Sequence, residues 1–150
     1  MKTYNEVEIL LVEDSMSDAE LTIRALTKAN LANNLVHVND GAEAIEFIFG
    51  RGRYQDRALT NLPKLILLDI KMPKVDGIEV LRQIKENEKT GLIPVVIMTS
   101  SKEEQDIIAS YRLGVNSYVV KPLNFEGFAK AIGGLGLYWL LLNEMPSPTS

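Results

Sequence analysis

The chain has 150 residues, which is enough for one domain with a core of its own. Hydrophobic residues make up 46% of it and charged residues 24%, the composition of a globular protein. The net charge of -4 argues against nucleic acid as the main partner, and the absence of cysteine excludes disulfides, thiol catalysis and cysteine metal sites. No apolar run reaches the roughly 20 residues of a membrane span, and residues 1–6 lack the apolar core of a signal peptide. We therefore expect a cytoplasmic protein with no membrane and no nucleic-acid partner.

Strand and helix signals alternate five times along the chain. Short apolar runs predict β-strands at residues 9–12, 35–38, 65–68, 94–98 and 117–120. The stretches that follow them predict helices at residues 17–30, 42–49, 77–88, 102–112 and 124–143. Such alternation is typical of an α/β fold, in which a parallel sheet has helices on both faces. We expect a single domain with its core at about 7–143 and a frayed tail at 144–150.

Several residues give start and stop signals for these helices. Ser17 and Glu20 have the spacing of a capping box at the first helix, and Asn124 can cap the last one. Gly50 and Gly114 fit the position just after a helix end.

The connection at residues 51–63 is long for a helix-to-strand loop and has no clear pattern. It carries three arginines and a tyrosine: Arg51, Arg53, Tyr54 and Arg57. Two interpretations stay open, a solvated insertion and a loop that contacts a partner.

The most informative stretch is residues 65–77. Four apolar residues predict a strand that is buried on both faces, and the run stops at Asp69. A Met-Pro and an Asp-Gly dipeptide follow, and both are typical of turns. A carboxylate at the end of a buried parallel strand lies where α/β proteins keep their sites. On this stretch alone, however, Asp69 could equally be a turn or capping residue.

Four of the predicted strands end at polar residues: Glu13, Asp14, Asp69, Thr99 and Lys121. Because the carboxyl ends of parallel strands share one edge of the sheet, we expect these side chains to converge. Three acids in one place need a cation, and oxygen ligands without histidine or cysteine suit Mg²⁺. Asp69 can then be a carboxylate nucleophile that forms an aspartyl phosphate, with Mg²⁺ and Lys121 neutralising the phosphoryl oxygens and Thr99 donating a hydrogen bond. Each residue alone also has an ordinary interpretation as a cap, a strand-end charge or a solvated acid.

This set of residues resembles the receiver domain of two-component response regulators, from Ile9 to about Leu142. The matching positions are the acid pair, the phosphoacceptor, the switch hydroxyl, the switch aromatic and the Lys-Pro pair: Glu13-Asp14, Asp69, Thr99, Tyr118 and Lys121-Pro122. The resemblance implies a doubly wound, flavodoxin-like (CheY-like) five-stranded parallel sheet in the order 2-1-3-4-5. It also implies Mg²⁺ as cofactor, with the Lys71 backbone carbonyl as a further ligand. The phosphoryl group would come from a sensor histidine kinase or from a small donor, and no independent metabolic activity is expected beyond phosphotransfer and autodephosphorylation.

The C-terminal region suggests both a kinase type and a second surface. Residues 135–146, like the long 51–63 connection, resemble single-domain response regulators that partner phytochrome-type histidine kinases. A helical projection of the last helix places one apolar group opposite the stripe that would pack on the sheet. This group, with an adjoining tyrosine, predicts a homodimer through the last helix or a docking surface for the kinase: Leu137, Tyr138, Leu140 and Leu141.

Three other functions compete with the receiver interpretation. An Asp-nucleophile phosphatase would have a second acid two residues after Asp69, where this chain has Lys71. A flavin-binding protein would have a hydroxyl- and glycine-rich phosphate loop after the first strand, where Glu13-Asp14 stand. A non-phosphorylated receiver that acts as a scaffold by protein association stays open as the alternative. The single histidine, His37, lies in a predicted edge strand and is expected to be structural rather than a phosphodonor.

Overall fold

A five-stranded parallel sheet forms the centre of the fold, in the order β2-β1-β3-β4-β5. The strands are β1 (Ile9–Val12), β2 (Leu35–Val38), β3 (Leu65–Asp69), β4 (Val95–Thr99) and β5 (Ser117–Val120). The helices are α1 (Met16–Lys28), α2 (Gly41–Phe49), α3 (Gly77–Glu86) and α4 (Phe125–Gly133), with a 3-10 turn at Gly52–Tyr54. This computed structural model describes residues 9–28, 34–56, 62–70, 72, 76–99, 112–121 and 124–133. The expected class and strand order are confirmed.

The sheet is covered on both faces, which explains why its strands read as continuous apolar runs. β1, β3 and β4 are buried along their whole length, whereas the edge strands β2 and β5 are partly exposed. One face packs against α2 and α3 through residues such as Phe47, and the opposite face packs against α1 and α4 through residues such as Phe128. Successive strand residues therefore enter different cores, as Leu10 and Leu11 do. Within the described ranges, no helix has the length and apolar character needed to cross a membrane.

The first helix begins earlier than the capping-box pattern predicts. α1 starts at Met16, and the Ser15 Oγ accepts a hydrogen bond from the Asp18 N–H at 3.2 Å. Ser17 therefore lies inside the first turn, and the capping box predicted from Ser17 and Glu20 is wrong. The physical reason is the tight turn after β1, which places Ser15 at the position where a hydroxyl reaches a first-turn N–H that has no partner within the helix.

The other helix signals are confirmed where the structure describes them. Gly50 follows α2 with a φ of 62°, and Gly114 has a φ of 97°. Both angles lie in the left-handed region that glycine adopts without strain. The Asn124 Oδ1 accepts a hydrogen bond from the Gly127 N–H at 2.7 Å and caps α4. The predicted helix at 102–112, apart from its last residue, and the continuation of the last helix beyond residue 133 lie outside the described residues.

The first part of the 51–63 connection packs on α2. The Tyr54 ring meets the Phe47 ring edge-on with 5.0 Å between their centroids, and the Tyr54 hydroxyl donates a 2.6 Å hydrogen bond to Glu43. An aromatic contact and a charged hydrogen bond therefore fix Tyr54, whereas the other residues of 51–56 are exposed, as in a solvated insertion. The partner contact stays a prediction.

Glu43 joins the two ends of α2 through one carboxylate that is 6% exposed. Its Oε1 accepts from the Asn39 backbone N–H at 3.0 Å and from the Asn39 side-chain amide at 3.2 Å, just before the helix. Its Oε2 accepts from Tyr54, just after the helix. Burial raises the pKa of Glu43, but the hydrogen bonds from Tyr54 and Asn39 and the charge of Arg53 outweigh burial, and the net pKa lies below the ordinary 4.5. The fold therefore stabilises the ionised carboxylate.

We expect Glu43→Gln to lower the free energy of unfolding near neutral pH by about 1–2 kcal/mol, since it removes a charge-assisted network from a largely buried position. Because the folded pKa is depressed, this contribution is present above the unfolded pKa of 4.5 and is lost as the pH falls through the folded value. Urea unfolding at about pH 7 and about pH 3 measures the change.

The matched control is Glu46→Gln on the same helix. Glu46 pairs with the exposed Arg53 at 3.1 Å, and an exposed pair of this kind stabilises a protein by less than about 1 kcal/mol. Equal losses in the two variants, or a Glu43→Gln loss that persists undiminished in acid, would contradict the assignment of Glu43.

Candidate functional site

The candidate site lies at the carboxyl-terminal edge of the sheet, where four strands each deliver a polar residue. Asp69 is the last residue of β3 and Thr99 the last residue of β4, and both are buried. Glu13 directly follows β1, and Lys121 directly follows β5. The parallel register sets these strand ends side by side, so the structure brings together four residues that the sequence predicts for the site.

Three carboxylates form a cluster at this edge. One oxygen from each of Glu13, Asp14 and Asp69 lies within 4.8 Å of the other two. Glu13 is 0% exposed and Asp69 is 4% exposed, whereas Asp14 is exposed. Acids this close together repel each other most strongly where water is excluded, so a cation bound among them would be strongly favoured.

The backbone of the first two strands holds Glu13 in place. The Glu13 N–H donates to the Val38 carbonyl at 3.1 Å, and the Glu13 carbonyl accepts from the His37 Nε2 at 2.8 Å. The Glu13 Oε2 also accepts from the Ser15 N–H at 3.2 Å. His37 thus contacts the backbone beside the site, as expected of a structural histidine.

Lys121 supplies the positive charge of the site. Its Nζ lies 2.8 Å from the Glu13 Oε1, 3.1 Å from the Asp69 Oδ2 and 3.3 Å from the Asp18 Oδ2. Burial lowers the pKa of Lys121, but Glu13 and Asp69 outweigh burial and the net shift is upward. Lys121 is therefore an ammonium at neutral pH. Its backbone N–H also donates to the Thr99 carbonyl at 2.8 Å, which ties the ends of β4 and β5 together.

Asp69 is the acid whose ionisation is most altered. Burial raises the pKa of Asp69 from 3.8 to about 7, Glu13 adds to the rise, and Lys121 opposes it. The protein alone therefore disfavours the carboxylate form of Asp69. A cation beside it would favour that form, which is the nucleophilic one.

One atom tests whether the residues present fit a metal ion. The Glu13 Oε1 is buried and, although it lies at ion-pair distance from Lys121, it accepts no hydrogen bond from the described residues. An unsatisfied buried oxygen beside two further carboxylates fits a hard cation such as Mg²⁺, which takes oxygen ligands and keeps several waters. The predicted carbonyl ligand, Lys71, lies outside the described residues.

The two predicted switch residues lie on neighbouring strands. Thr99 is fully buried at the end of β4, whereas Tyr118 on β5 is 41% exposed. The register pairs Thr99 with Val120, so Tyr118 stands two residues back along the adjoining strand. A tyrosine that is still partly exposed can be buried further, which the predicted switch requires.

The start of α3 approaches the backbone of Asp69 closely. The Gly77 N–H donates to the Ile70 carbonyl at 3.1 Å. A Cβ at position 77 would lie 2.5 Å from the Asp69 carbonyl oxygen and 2.6 Å from the Ile70 Cα. Glycine is therefore required here by close packing against the backbone behind Asp69.

Asp18 is a site residue that sequence reasoning missed. It lies in the first turn of α1 and hydrogen-bonds Lys121, 103 positions along the chain. The strand-end rule that found the other residues does not apply to a helix, and an acid in a first turn is ordinarily explained by the helix dipole. The remaining predicted site residues lie outside the described part of the chain: Pro122, Leu137, Tyr138, Leu140 and Leu141.

The fold and this site define a class of protein. Residues 9–133 match the family described as the response regulator receiver domain, and the chain belongs to that family. It is similar to the bacteriophytochrome response regulator AtBRR, with 51% identity, a TM-score of 0.82, and coverage of 93% of this chain and 99% of that one.

Two further relatives support the same placement. The response regulator Rcp1 of Synechocystis sp. is 40% identical over 93% of this chain and 92% of its own length. Its Mn²⁺-bound crystal structure has a TM-score of 0.72 and covers 94% of this chain and 99% of that one. The phosphorylated cyanobacterial phytochrome response regulator RcpA is 37% identical, with a TM-score of 0.73 and coverage of 95% and 99%. The resemblance that the motifs predict is confirmed.

Proposed function

We propose that the protein is a phosphorelay receiver that accepts a phosphoryl group on Asp69 in a Mg²⁺-dependent reaction and then changes its surface for partner binding. The observation that carries the proposal is the cluster of Glu13, Asp14 and Asp69 beside the ammonium of Lys121. A carboxylate nucleophile, a cation site and a fixed positive charge are the groups that phosphoryl transfer to an aspartate needs. Membership of the receiver family supports the same function.

In the proposed reaction, an Asp69 carboxylate oxygen attacks the phosphorus of a phosphohistidine. The O–P bond forms as the N–P bond breaks, and the leaving imidazole keeps the electron pair and takes a proton from solvent. Lys121 stabilises the charge on the phosphoryl oxygens from a position fixed by Glu13. Glu13, Asp14 and Asp69 would hold Mg²⁺, which supplies further neutralisation of that charge. The existence of a Mn²⁺-bound form of the relative Rcp1 supports the choice of a divalent cation.

The proposed donor is a sensor histidine kinase of the phytochrome type. Two relatives, AtBRR and RcpA, are described as phytochrome response regulators, which supports this choice. A homodimer through the last helix is proposed on the sequence pattern of residues 137–141 alone. A cytoplasmic location likewise rests on the composition of the sequence.

The test of the proposed function is direct labelling of the wild-type chain. The protein is incubated with Mg²⁺ and a phosphohistidine donor, and peptide masses locate any acid-labile phosphate. We expect one phosphoryl group, on Asp69. A chain that stays unlabelled with Mg²⁺ present, while a known receiver is labelled by the same donor, would favour the scaffold function instead.

We expect the conformational effect of phosphorylation to pass from Asp69 to the protein surface through Thr99 and Tyr118. A new phosphoryl charge would draw the Thr99 hydroxyl toward it, and the vacated space would admit the Tyr118 ring. Thr99→Ala should therefore still be labelled but lose the phosphorylation-dependent change in hydrogen exchange at β5. Thr90→Ala is the matched control. Thr90 is also buried, but it precedes β4 and so lies at the opposite end of the sheet, where its hydroxyl donates a hydrogen bond to the Ile84 carbonyl. An unchanged exchange response in Thr99→Ala would contradict the coupling.

A further inference from the structure

Among the described residues, Asp18 is the one carboxylate beside the Lys121 ammonium that lies outside the acid cluster. Its Oδ2 accepts a hydrogen bond from the Lys121 Nζ at 3.3 Å, the longest of the three carboxylate contacts of that ammonium. The Asp18 side chain is 43% exposed, against 0% for Glu13 and 5% for Asp69. Asp18 therefore holds Lys121 from the solvent side, and Glu13 and Asp69 hold it from the buried side.

The Lys121 ammonium lies close to three carboxylates at once. An ammonium has three protons, and each of the three carboxylates lies within 3.3 Å of the Nζ. Phosphorylation turns the Asp69 carboxylate into an acyl phosphate, so the Lys121 contact with Asp69 passes to a phosphoryl oxygen, which lies beyond the carboxylate. The ammonium follows that oxygen most easily if it gives up its weakest remaining contact. The contact with Asp18 is the weakest, because it is the longest and because water can solvate the released carboxylate.

We propose that Asp18 is a positioning residue that competes with the phosphoryl group for Lys121 and is released when Asp69 is phosphorylated. The inference rests on the proposed function, since it requires a phosphoryl group on Asp69. In the unphosphorylated protein, Asp18 keeps the ammonium at the mouth of the site. After phosphorylation, the carboxylate in the first turn of α1 becomes available to a partner, so α1 carries part of the signal.

The experiment measures binding of a phosphoryl analogue without any turnover. Beryllofluoride is titrated into the full chain with saturating Mg²⁺, and the change in the NMR signals of β5 reports formation of the adduct. Asp18→Asn keeps the size of the side chain and removes its charge, so we expect beryllofluoride to bind about two- to fivefold more tightly, the range that corresponds to loss of an exposed ion pair. Asp18→Glu should restore affinity toward the wild-type value.

Glu20→Gln is the matched control, because it removes the same charge from an exposed position of the same helix. It should leave the affinity at the wild-type value, which separates a local contact from the general charge of α1. An affinity of Asp18→Asn equal to that of Glu20→Gln, or weaker than that of the wild type, would overturn the proposal.

Two outcomes separate this inference from the function on which it rests. Failure of the wild-type chain to bind beryllofluoride or to take up phosphate would refute the proposed function itself. Wild-type binding that Asp18→Asn does not strengthen would refute only the role of Asp18. Circular dichroism and urea unfolding confirm that each variant is folded before it is titrated.

Discussion

Asp69→Asn is expected to abolish phosphoryl labelling of the chain completely. An amide cannot act as the nucleophile, and its neutral oxygen is a weaker ligand for a divalent cation than a carboxylate. The variant should remain folded, since the buried environment raises the pKa of Asp69 to about 7 and so already disfavours its charge. Loss of label would then report the chemistry and not unfolding. Treatment of the wild type with EDTA should remove labelling to the same extent.

Asp76→Asn is the matched control for that experiment. Asp76 follows the same strand, and its Oδ1 caps α3 by accepting a hydrogen bond from the Glu79 N–H at 3.0 Å. Asparagine is an equally good capping residue, so this variant should fold and be labelled as the wild type is. A phosphate that appears in Asp69→Asn, at any residue and to the wild-type extent, would refute Asp69 as the phosphoacceptor.

Gly77→Ala is expected to damage both the fold and the site. In a helix, alanine ordinarily replaces glycine with a gain of about 0.5–1 kcal/mol. Here the new Cβ would lie 2.5 Å from the Asp69 carbonyl oxygen, and neither atom belongs to a flexible side chain that could move away. We expect a loss of about 1–3 kcal/mol in the free energy of unfolding, the range for overpacking. Displacement of the Asp69 backbone should also slow labelling by about tenfold or more.

Gly127→Ala is the matched control for Gly77→Ala, because it changes a glycine at a comparable position and should have little effect. Gly127 also lies near the start of a helix, but its Cβ would come no closer than 3.3 Å to the side-chain oxygen of Asn124. This variant should be within about 1 kcal/mol of the wild type or slightly more stable, and its labelling rate should not change. Urea unfolding and the initial labelling rate compare the two variants. A Gly77→Ala protein as stable and as active as Gly127→Ala would show that the segment after β3 can shift without harm.

Most of the fold and the centre of the site could be predicted because two strong regularities apply to them. Strands buried on both faces give continuous apolar runs, and the topology of a parallel sheet then aligns the residues that follow each run. This reasoning predicts Glu13, Asp69, Thr99 and Lys121 from the apolar runs and the topology alone. The helix boundaries are less predictable. The sequence pattern misplaces the start of α1, because Ser15 and Ser17 are both suitable caps and only the turn after β1 decides between them.

Contacts that join distant positions could not be predicted from local patterns. Asp18 reaches Lys121 across 103 positions, and its neighbours in sequence are those of any exposed first turn. The aromatic contact of Tyr54 with Phe47 could not be predicted for a similar reason. An irregular loop has no hydrophobic periodicity that could indicate which of its side chains are packed. The raised pKa of Asp69 could not be predicted either, because its main cause is the burial of the side chain, which is known only from the structure.

The contacts of Glu43 have a consequence for how this chain can vary in length. The Glu43 carboxylate hydrogen-bonds Asn39, which precedes α2, and Tyr54, which follows it. One side chain therefore fixes both ends of the segment from Asn39 to Tyr54. Residues added or removed beyond Gln55 would lengthen or shorten only the span that leads to β3, and the entropy of such a span changes slowly with its length. Relatives could therefore differ in this connection by several residues while α2 keeps its position on the sheet. A change of length after Gln55 would then leave the acid cluster at the edge of the sheet undisturbed.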